Sequence, residues 1–222
     1  MLPILAQAAT SQAVQEMSLW DLCVQGGFIM IILAILSLIC IYVLVERAII
    51  IRSASRLDAS FMARIKGLIH SGDTEGAHRL CQSAPSPYSR LIDKGISRIG
   101  RPMGDVLVAI ENVGNLEVAN LGKGLTWLAT TAAGAPMLGF LGTVIGMVQS
   151  FYTLASAGTS ANIGLLADGI YQALVTTVAG LIVGIIAMFA YNYLTSRING
   201  VMNKMEARTM EFMDLLNEPA KR

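Results

Sequence analysis

Three stretches of the chain lack charge over at least the length of a membrane span. Residues 26–45 are dense in Ile and Leu, residues 124–167 are uncharged throughout, and residues 169–196 are uncharged again. A bilayer core needs roughly 20 apolar residues of helix, so each stretch is long enough to cross. The second is too long for one simple span and ends in a loop-like run, Ala157-Gly158-Thr159-Ser160. The pattern therefore predicts spans at 26–45, 125–156 and 166–196, with a short loop at 157–165 between the last two.

Between the first and second spans the texture changes to amphipathic helix. Leu57, Phe61, Ile65 and Leu68 recur at helical spacing. Ser71-Gly72-Asp73 breaks that helix, and Asp73 is placed to cap the next one, which carries Ala77, Leu80 and Cys81 on one side. Pro85 and Pro87 end it. Tyr88 to Ile99 forms another amphipathic stretch through Leu91, Ile92, Ile96 and Ile99, closed by Gly100-Arg101-Pro102. From Met103 the positions Val106, Ile110, Val113 and Leu116 run on without proline to Pro136. One continuous helix from about Met103 to Leu154 is expected, about 75 Å long at 1.5 Å per residue. The tail from Arg197 to Asn217 should extend the third span in the same way, with Ile198, Met202, Met205, Met213 and Leu216 on a packed face.

Charge gives the spans a direction. The chain has 222 residues, 54% hydrophobic and only 14% charged, with a mean hydropathy of +0.60. Soluble domains carry about 25% charged residues. Of the sixteen Lys and Arg, eleven lie between Glu46 and Lys123 and five between Arg197 and Arg222. The remaining segments carry only Glu16, Asp21 and Asp168. The positive-inside rule then places residues 1–25 outside, residues 46–124 in the cytoplasm as a helical domain, and the C-terminal helix, 197–222, in the cytoplasm as well. The expected fold class is an all-α integral membrane protein, with three transmembrane helices and long cytoplasmic helical extensions.

The second and third spans each carry a stripe of small and hydroxyl residues. At 100° per residue, Pro136, Gly139, Gly142, Thr143, Gly146 and Ser150 share an arc of about 140° on the second span. Gln172, Thr176, Thr177, Gly180 and Gly184 do so on the third. Leu138, Phe140, Val144, Val148, Leu174, Val178 and Ile182 take the other sides. The first span has no such stripe, which predicts a peripheral, lipid-facing helix. Two readings compete. Small residues let helices approach closely, and hydroxyls bond backbone carbonyls; this accounts for most of the glycines. Alternatively, Thr143, Thr176, Thr177, Gln172 and Ser150 line a polar path that solvates a proton-carrying water or a partner's carboxylate. Pro136 predicts a kink. Apart from Asp168 at the outer edge, the spans hold no ionisable group, so a titrating residue for a proton path must come from another chain.

Candidate chemistry is otherwise sparse. HExxH, P-loop, GxSxG and GxGxxG motifs are absent, so no enzymatic activity, catalytic residue, cofactor or metal site is expected. Cys23, Cys40 and Cys81 have neither metal-ligand nor redox spacing and read as unpaired thiols. His70 and His78 read as solvated or locally hydrogen-bonded. Met1 to Ala9 has an Ala-x-Ala-like stretch but no basic n-region and too short an apolar core for a signal peptide; it reads as a mobile tail.

The runs GAPMLGFLGTVIGM at 134–147 and GIYQALVTTVAGL at 169–181, followed by Tyr191-Asn192, resemble the ExbB/TolQ/MotA proton-channel family, and the ExbB branch most closely. The resemblance covers roughly residues 26–197, and three spans favour ExbB or TolQ over the four-span MotA type. It implies a homopentamer in a bacterial inner membrane, with a periplasmic N-terminus. The second and third spans would surround a pore holding two single-span ExbD-like helices, each bringing a proton-carrying aspartate. Proton flow would then energise a TonB-like protein acting on outer-membrane receptors. The family's pore threonines correspond to Thr143 and Thr177, and Gln172 stands where many ExbB members have a glutamate. The expected partners are further copies of the chain, the ExbD-like and TonB-like proteins and the lipid bilayer, with no nucleic acid. A TolQ-like, gliding or secretion motor role, a non-conducting scaffold and a secondary transporter are the alternatives. The last is disfavoured by the lack of an internal repeat or charged membrane site.

Overall fold

The computed structural model describes residues 27–55, 60–84, 86–157 and 163–217. The expectations for residues 1–25, Cys23, Leu57 and Pro85, and for most of the 157–165 loop, lie outside these residues. The described chain folds as seven helices with no strand among them. They are α1 (Gly27–Ala54), α2 (Phe61–His70), α3 (Thr74–Ser83), α4 (Pro87–Ile96), α5 (Met103–Leu121), α6 (Leu125–Ala157) and α7 (Ile163–Asn217). Among the described residues, α1, α6 and α7 are the helices long and apolar enough to cross a membrane, so the protein is an all-α membrane protein. The third span and the C-terminal helix form one unbroken helix, and Pro136 sits inside α6 without ending it.

The short helices start and stop where local chemistry dictates. Gly72, at φ 77°, ends α2 in a conformation that a side chain would strain. Asp73 then caps α3, its Oδ1 accepting the Gly76 N–H at 2.7 Å. Ser86 and Ser89 form a reciprocal capping box on α4, with Pro87 in the first turn. Where a single helix from Met103 to Leu154 is expected, the chain instead breaks between α5 and α6. Gly122 closes α5, and Gly124 takes φ 82°. Arg47 of α1 reaches this break and donates from Nη1 to the Asn120 carbonyl at 3.2 Å, adding a side-chain hydrogen bond to the long one, 3.4 Å, that this oxygen accepts from the Lys123 N–H.

Two compact units divide the chain, residues 1–35 with 135–182, and residues 36–134 with 183–222. In the second, Ile65, Ala77, Ile92, Ile110, Leu128, Leu194 and Phe212 are buried in one continuous apolar core. Each large side chain of this kind stabilises by about 1.5–3 kcal/mol. A Cβ on Gly95 of α4 would meet Phe212 Cε1 at 2.5 Å and Ile110 Cδ1 at 2.8 Å, so α4, α5 and α7 join at a glycine.

The helical faces differ in detail from the sequence expectation. On α5, Val106 and Ile110 are buried as expected, but Leu116 is exposed and the buried face continues through Glu117 to Leu121. Glu117 is tolerated there because Arg90 binds it through two parallel hydrogen bonds, Nε–Oε1 at 2.6 Å and Nη2–Oε2 at 2.5 Å. The hydrogen bonds to Glu117 hold the Arg90 guanidinium above its usual range. Ile99 lies beyond the end of α4 and is exposed. On the C-terminal part of α7, Ile198 and Met205 are buried with Val201, Phe212 and Leu215, whereas Met202, Met213 and Leu216 flank them half-buried. Cys40 and Cys81 are free thiols. His78 pairs locally, with Nδ1 2.5 Å from Asp93 Oδ1 and Nε2 2.8 Å from the Gln82 amide.

Candidate functional site

Within the unit formed by residues 1–35 and 135–182, α6 and α7 meet along their small residues. The backbones come closest at Gly139 and Gly180. A Cβ on Gly180 would lie 2.5 Å from the Ala135 carbonyl oxygen and 2.9 Å from Gly139 Cα, and one on Gly139 would lie 2.9 Å from the Thr176 carbonyl oxygen. Further along, a Cβ on Gly146 would meet Ala173 Cβ at 2.8 Å. Side chains of Thr176 and Ser150 occupy the space that Cβ atoms on Gly142 and Gly169 would need. Gly184, which belongs to the other unit, is buried there. The glycines thus do what membrane packing requires of them. The large residues expected outside the stripes, such as Phe140, Val148, Leu174, Val178 and Ile182, are exposed.

The hydroxyls converge on one carbonyl. Thr177 Oγ1 donates to the Gly139 oxygen at 2.9 Å, with Thr143 Oγ1 at 3.3 Å and Thr176 Oγ1 at 3.4 Å from the same atom. Thr143 and Thr177 also hydrogen-bond each other directly across the two helices. Thr176 donates mainly to its own helix, to the Ala173 oxygen at 2.7 Å, and Ser150 to the Gly146 oxygen at 2.8 Å. A hydroxyl has one proton and two lone pairs. In the Thr143–Thr177 pair one proton bridges the two oxygens and the other goes to the Gly139 carbonyl. Both donors are committed, so the pair offers lone pairs to anything that approaches.

Not all the sequence candidates share this place. At 100° per residue, Gly169, Ala173 and Gly180 define the side of α7 that meets α6. Thr177 falls on one flank of that contact and Gln172 on the other. On α6, Thr143 falls on the first flank and Gln149 on the second. The structure therefore pairs Thr143 with Thr177 but does not bring Gln172 onto the same path. Gln172, Ser150 and Thr176 instead line a cavity of about 1140 Å³ with Gln149, Thr153, Asp168 and Tyr171, walled by Gly27, Phe28 and Ile29 of α1. Sequence reasoning missed Gln149 and Tyr171 as members of this group. The available signal was that Gln149 and Gln172 sit at the edges of the two arcs, but matching those edges requires knowing which flank α1 covers. Among the described residues, no three His, Cys, Asp or Glu side chains come together as a metal site would need.

Comparison with known proteins agrees with the motif and the packing. Residues 83–207 match the MotA/TolQ/ExbB proton channel family, a region that includes both glycine-lined helices and the threonine pair. The chain belongs to the MotA/TolQ/ExbB family. It is 33% identical over 182 residues to an ExbB homolog of Methanothermobacter thermautotrophicus described as a biopolymer transport protein, covering 82% of this chain and 64% of that one. The chain thus spans just under two thirds of that relative's length. It is 35% identical over 106 residues to the Tol-Pal system protein TolQ of Haemophilus influenzae, covering 48% of this chain and 46% of TolQ. It is 36% identical over 98 residues to the biopolymer transport protein ExbB of Xanthomonas campestris, covering 44% and 38%. As a member of this family with three helices long and apolar enough to cross a membrane among its described residues, it is a multi-pass membrane protein.

Proposed function

We propose that the chain is the pore-forming subunit of an inner-membrane motor, in which copies of α6 and α7 surround an ExbD-like single-span partner and present Thr143 and Thr177 to its carboxyl group. Five copies, a periplasmic N-terminus and a cytoplasmic C-terminus follow from the family resemblance and from the one-sided distribution of basic residues. The observation that carries the reading is the Thr143–Thr177 pair, whose donors are both committed. Such a pair accepts a hydrogen bond from a protonated carboxyl through its lone pairs, whereas an ionised carboxyl would first have to draw a hydroxyl proton away from the Gly139 carbonyl. It would therefore stabilise the proton-loaded partner as that partner passes, and the spans themselves contribute no titrating group beside it.

The energised process is TonB-dependent outer-membrane transport in this reading. A TolQ-like role is the second reading, favoured by the similarity to the Haemophilus TolQ. Both share the same pore chemistry and differ in the partner. Complementation of ExbB-deficient and TolQ-deficient bacteria with the chain and its native partner separates them: restored TonB-dependent uptake supports the first reading, and restored envelope integrity alone supports the second. A non-conducting scaffold would tolerate valine at both Thr143 and Thr177, whereas a proton motor would not.

A further inference from the structure

A groove between α5 and the C-terminal part of α7 plays no part in the pore chemistry. Leu107, Gly114 and Val118 of α5 form one wall, Met202 and Met210 of α7 form the other, and the buried Leu91 of α4 also lines it. The space is about 340 Å³, and its α5 wall runs for about 16 Å, or about three turns. Gly114 leaves the middle of that wall without a side chain. A Cβ there would meet nothing nearer than Leu91 Cδ2 at 3.8 Å and Met205 Cε at 3.9 Å. Met210 is 66% exposed, and Met202 and Val118 are half-buried, so the apolar lining is open at the surface. The α7 wall begins about 8 Å beyond Arg197, the first charge after the apolar length of that helix. The groove therefore opens to water and not to acyl chains.

Its rim carries one sign of charge. Glu111 comes from the α5 wall and Glu206 from the α7 wall, and both are exposed. Among the described residues neither carboxylate is in an ion pair, and no Lys, Arg or His lines the groove. Two unpaired carboxylates repel an anionic lipid headgroup and attract Lys or Arg. An apolar trough between two helices takes the apolar face of a third, whose anchors recur at i, i+3, i+4 and i+7. Methionine walls adapt their shape to such anchors.

We infer that the α5–α7 groove docks a basic amphipathic helix of a partner protein. Its apolar anchors enter between Val118, Met202 and Met210, and its Lys or Arg side chains meet Glu111 and Glu206. Docking here needs neither proton flow nor the Thr143–Thr177 pair.

Photocrosslinking tests this on the full chain in nanodiscs of neutral phosphatidylcholine. p-Benzoylphenylalanine replaces Met210 in the groove or, as a control, Leu116, which is exposed and falls on the opposite side of α5 at 100° per residue. Two fluorescent synthetic peptides serve as probes, with leucine at helical spacing and either lysine or glutamate elsewhere. The lysine peptide should crosslink saturably at position 210 and not at 116, and the glutamate peptide at neither. Glu111→Gln together with Glu206→Gln should weaken binding of the lysine peptide about three- to tenfold and flatten its dependence on salt. Gly114→Leu fills the middle of the groove without changing charge and should block crosslinking. Should that variant fail to fold, the two exposed Glu→Gln changes still decide. Equal crosslinking by the two peptides would overturn the inference, as would no crosslink from either, or lysine-peptide binding unchanged by the Glu→Gln changes. So would a crosslink from position 210 to a second copy of the chain with the peptide excluded, which would make the groove an interface between copies, or a crosslink to lipid alone.

Discussion

Thr143 on α6 and Thr177 on α7 hydrogen-bond each other at the point where two glycines bring their helices closest. The pair depends on that approach: both oxygens also lie within 3.3 Å of the Gly139 carbonyl, which is reachable from α7 only because positions 139 and 180 lack a Cβ. Replacing either threonine with valine keeps the shape and removes the hydroxyl. Loss of one hydrogen bond between a hydroxyl and a protonated carboxyl, both neutral, amounts to about 0.5–1.5 kcal/mol, so partner-dependent proton uptake should fall about two- to tenfold. Serine at either position should retain most of the flux. Uptake followed with a pH-sensitive dye inside vesicles makes this measurement.

Glycine substitutions should separate packing from propensity. Gly180→Ala places a methyl 2.5 Å from the Ala135 carbonyl and 2.9 Å from Gly139 Cα, both backbone atoms that cannot rotate away. A cost of about 1–3 kcal/mol is expected. Gly134→Ala in α6, where an added Cβ meets nothing within 4 Å, should be neutral or stabilise by about 0.5–1 kcal/mol through helix propensity. Thermal unfolding of the two variants in detergent reads the difference.

Glu117 and Arg90 join α5 to α4 through paired hydrogen bonds. Glu117→Ala leaves the guanidinium without its partner against a half-buried surface. Because the Arg90 side chain is 49% exposed, solvent screens much of the penalty, and a loss of about 1–2 kcal/mol is expected. Arg90→Met with Glu117→Leu should recover much of that loss, since neither charge then remains buried. Denaturant or thermal midpoints of the three proteins provide the check.

Cys81 should report on the integrity of the α3–α4 packing. Burial, reinforced by the charge of Asp93, pushes its thiol from 9.0 up to about 12. The folded protein therefore retains this proton where the unfolded chain has lost it. The stability contribution is intact below pH 9 and is lost progressively between about pH 9 and pH 12. At pH 8 the native thiol should resist alkylation and react only on unfolding; mass spectrometry of Cys81 after timed alkylation measures both states.

Much of this architecture could be read from the residues. Uncharged length marked the three long helices, and the 100° rotation separated Gly139, Gly146 and Gly180 from Phe140, Val148 and Val178. What escaped was set by contacts between segments. The break at Gly122 and Gly124 depends on a glycine φ that L-residues rarely adopt and on Arg47 arriving from α1, neither of which leaves a periodic signal. Glu117 occupies a buried position because Arg90 lies opposite, so hydrophobic periodicity chose its neighbour Leu116 instead. Gln172 looked like a companion of Thr177 because both fall within one broad arc. Only the direction of α6 and the position of the first turn of α1 show that the two residues stand on opposite flanks.

In the proposed motor the Thr143–Thr177 pair provides acceptors with no titrating group beside it among the described residues, so proton passage requires a partner's carboxyl. Proton uptake driven by a potassium-valinomycin potential, in vesicles containing the chain alone or with its native ExbD-like partner, tests this most directly. The expected result is background uptake from the chain alone, strong uptake with the partner, and loss of that uptake when the partner's membrane aspartate becomes asparagine. Strong proton-selective uptake from the chain alone would overturn the proposed function.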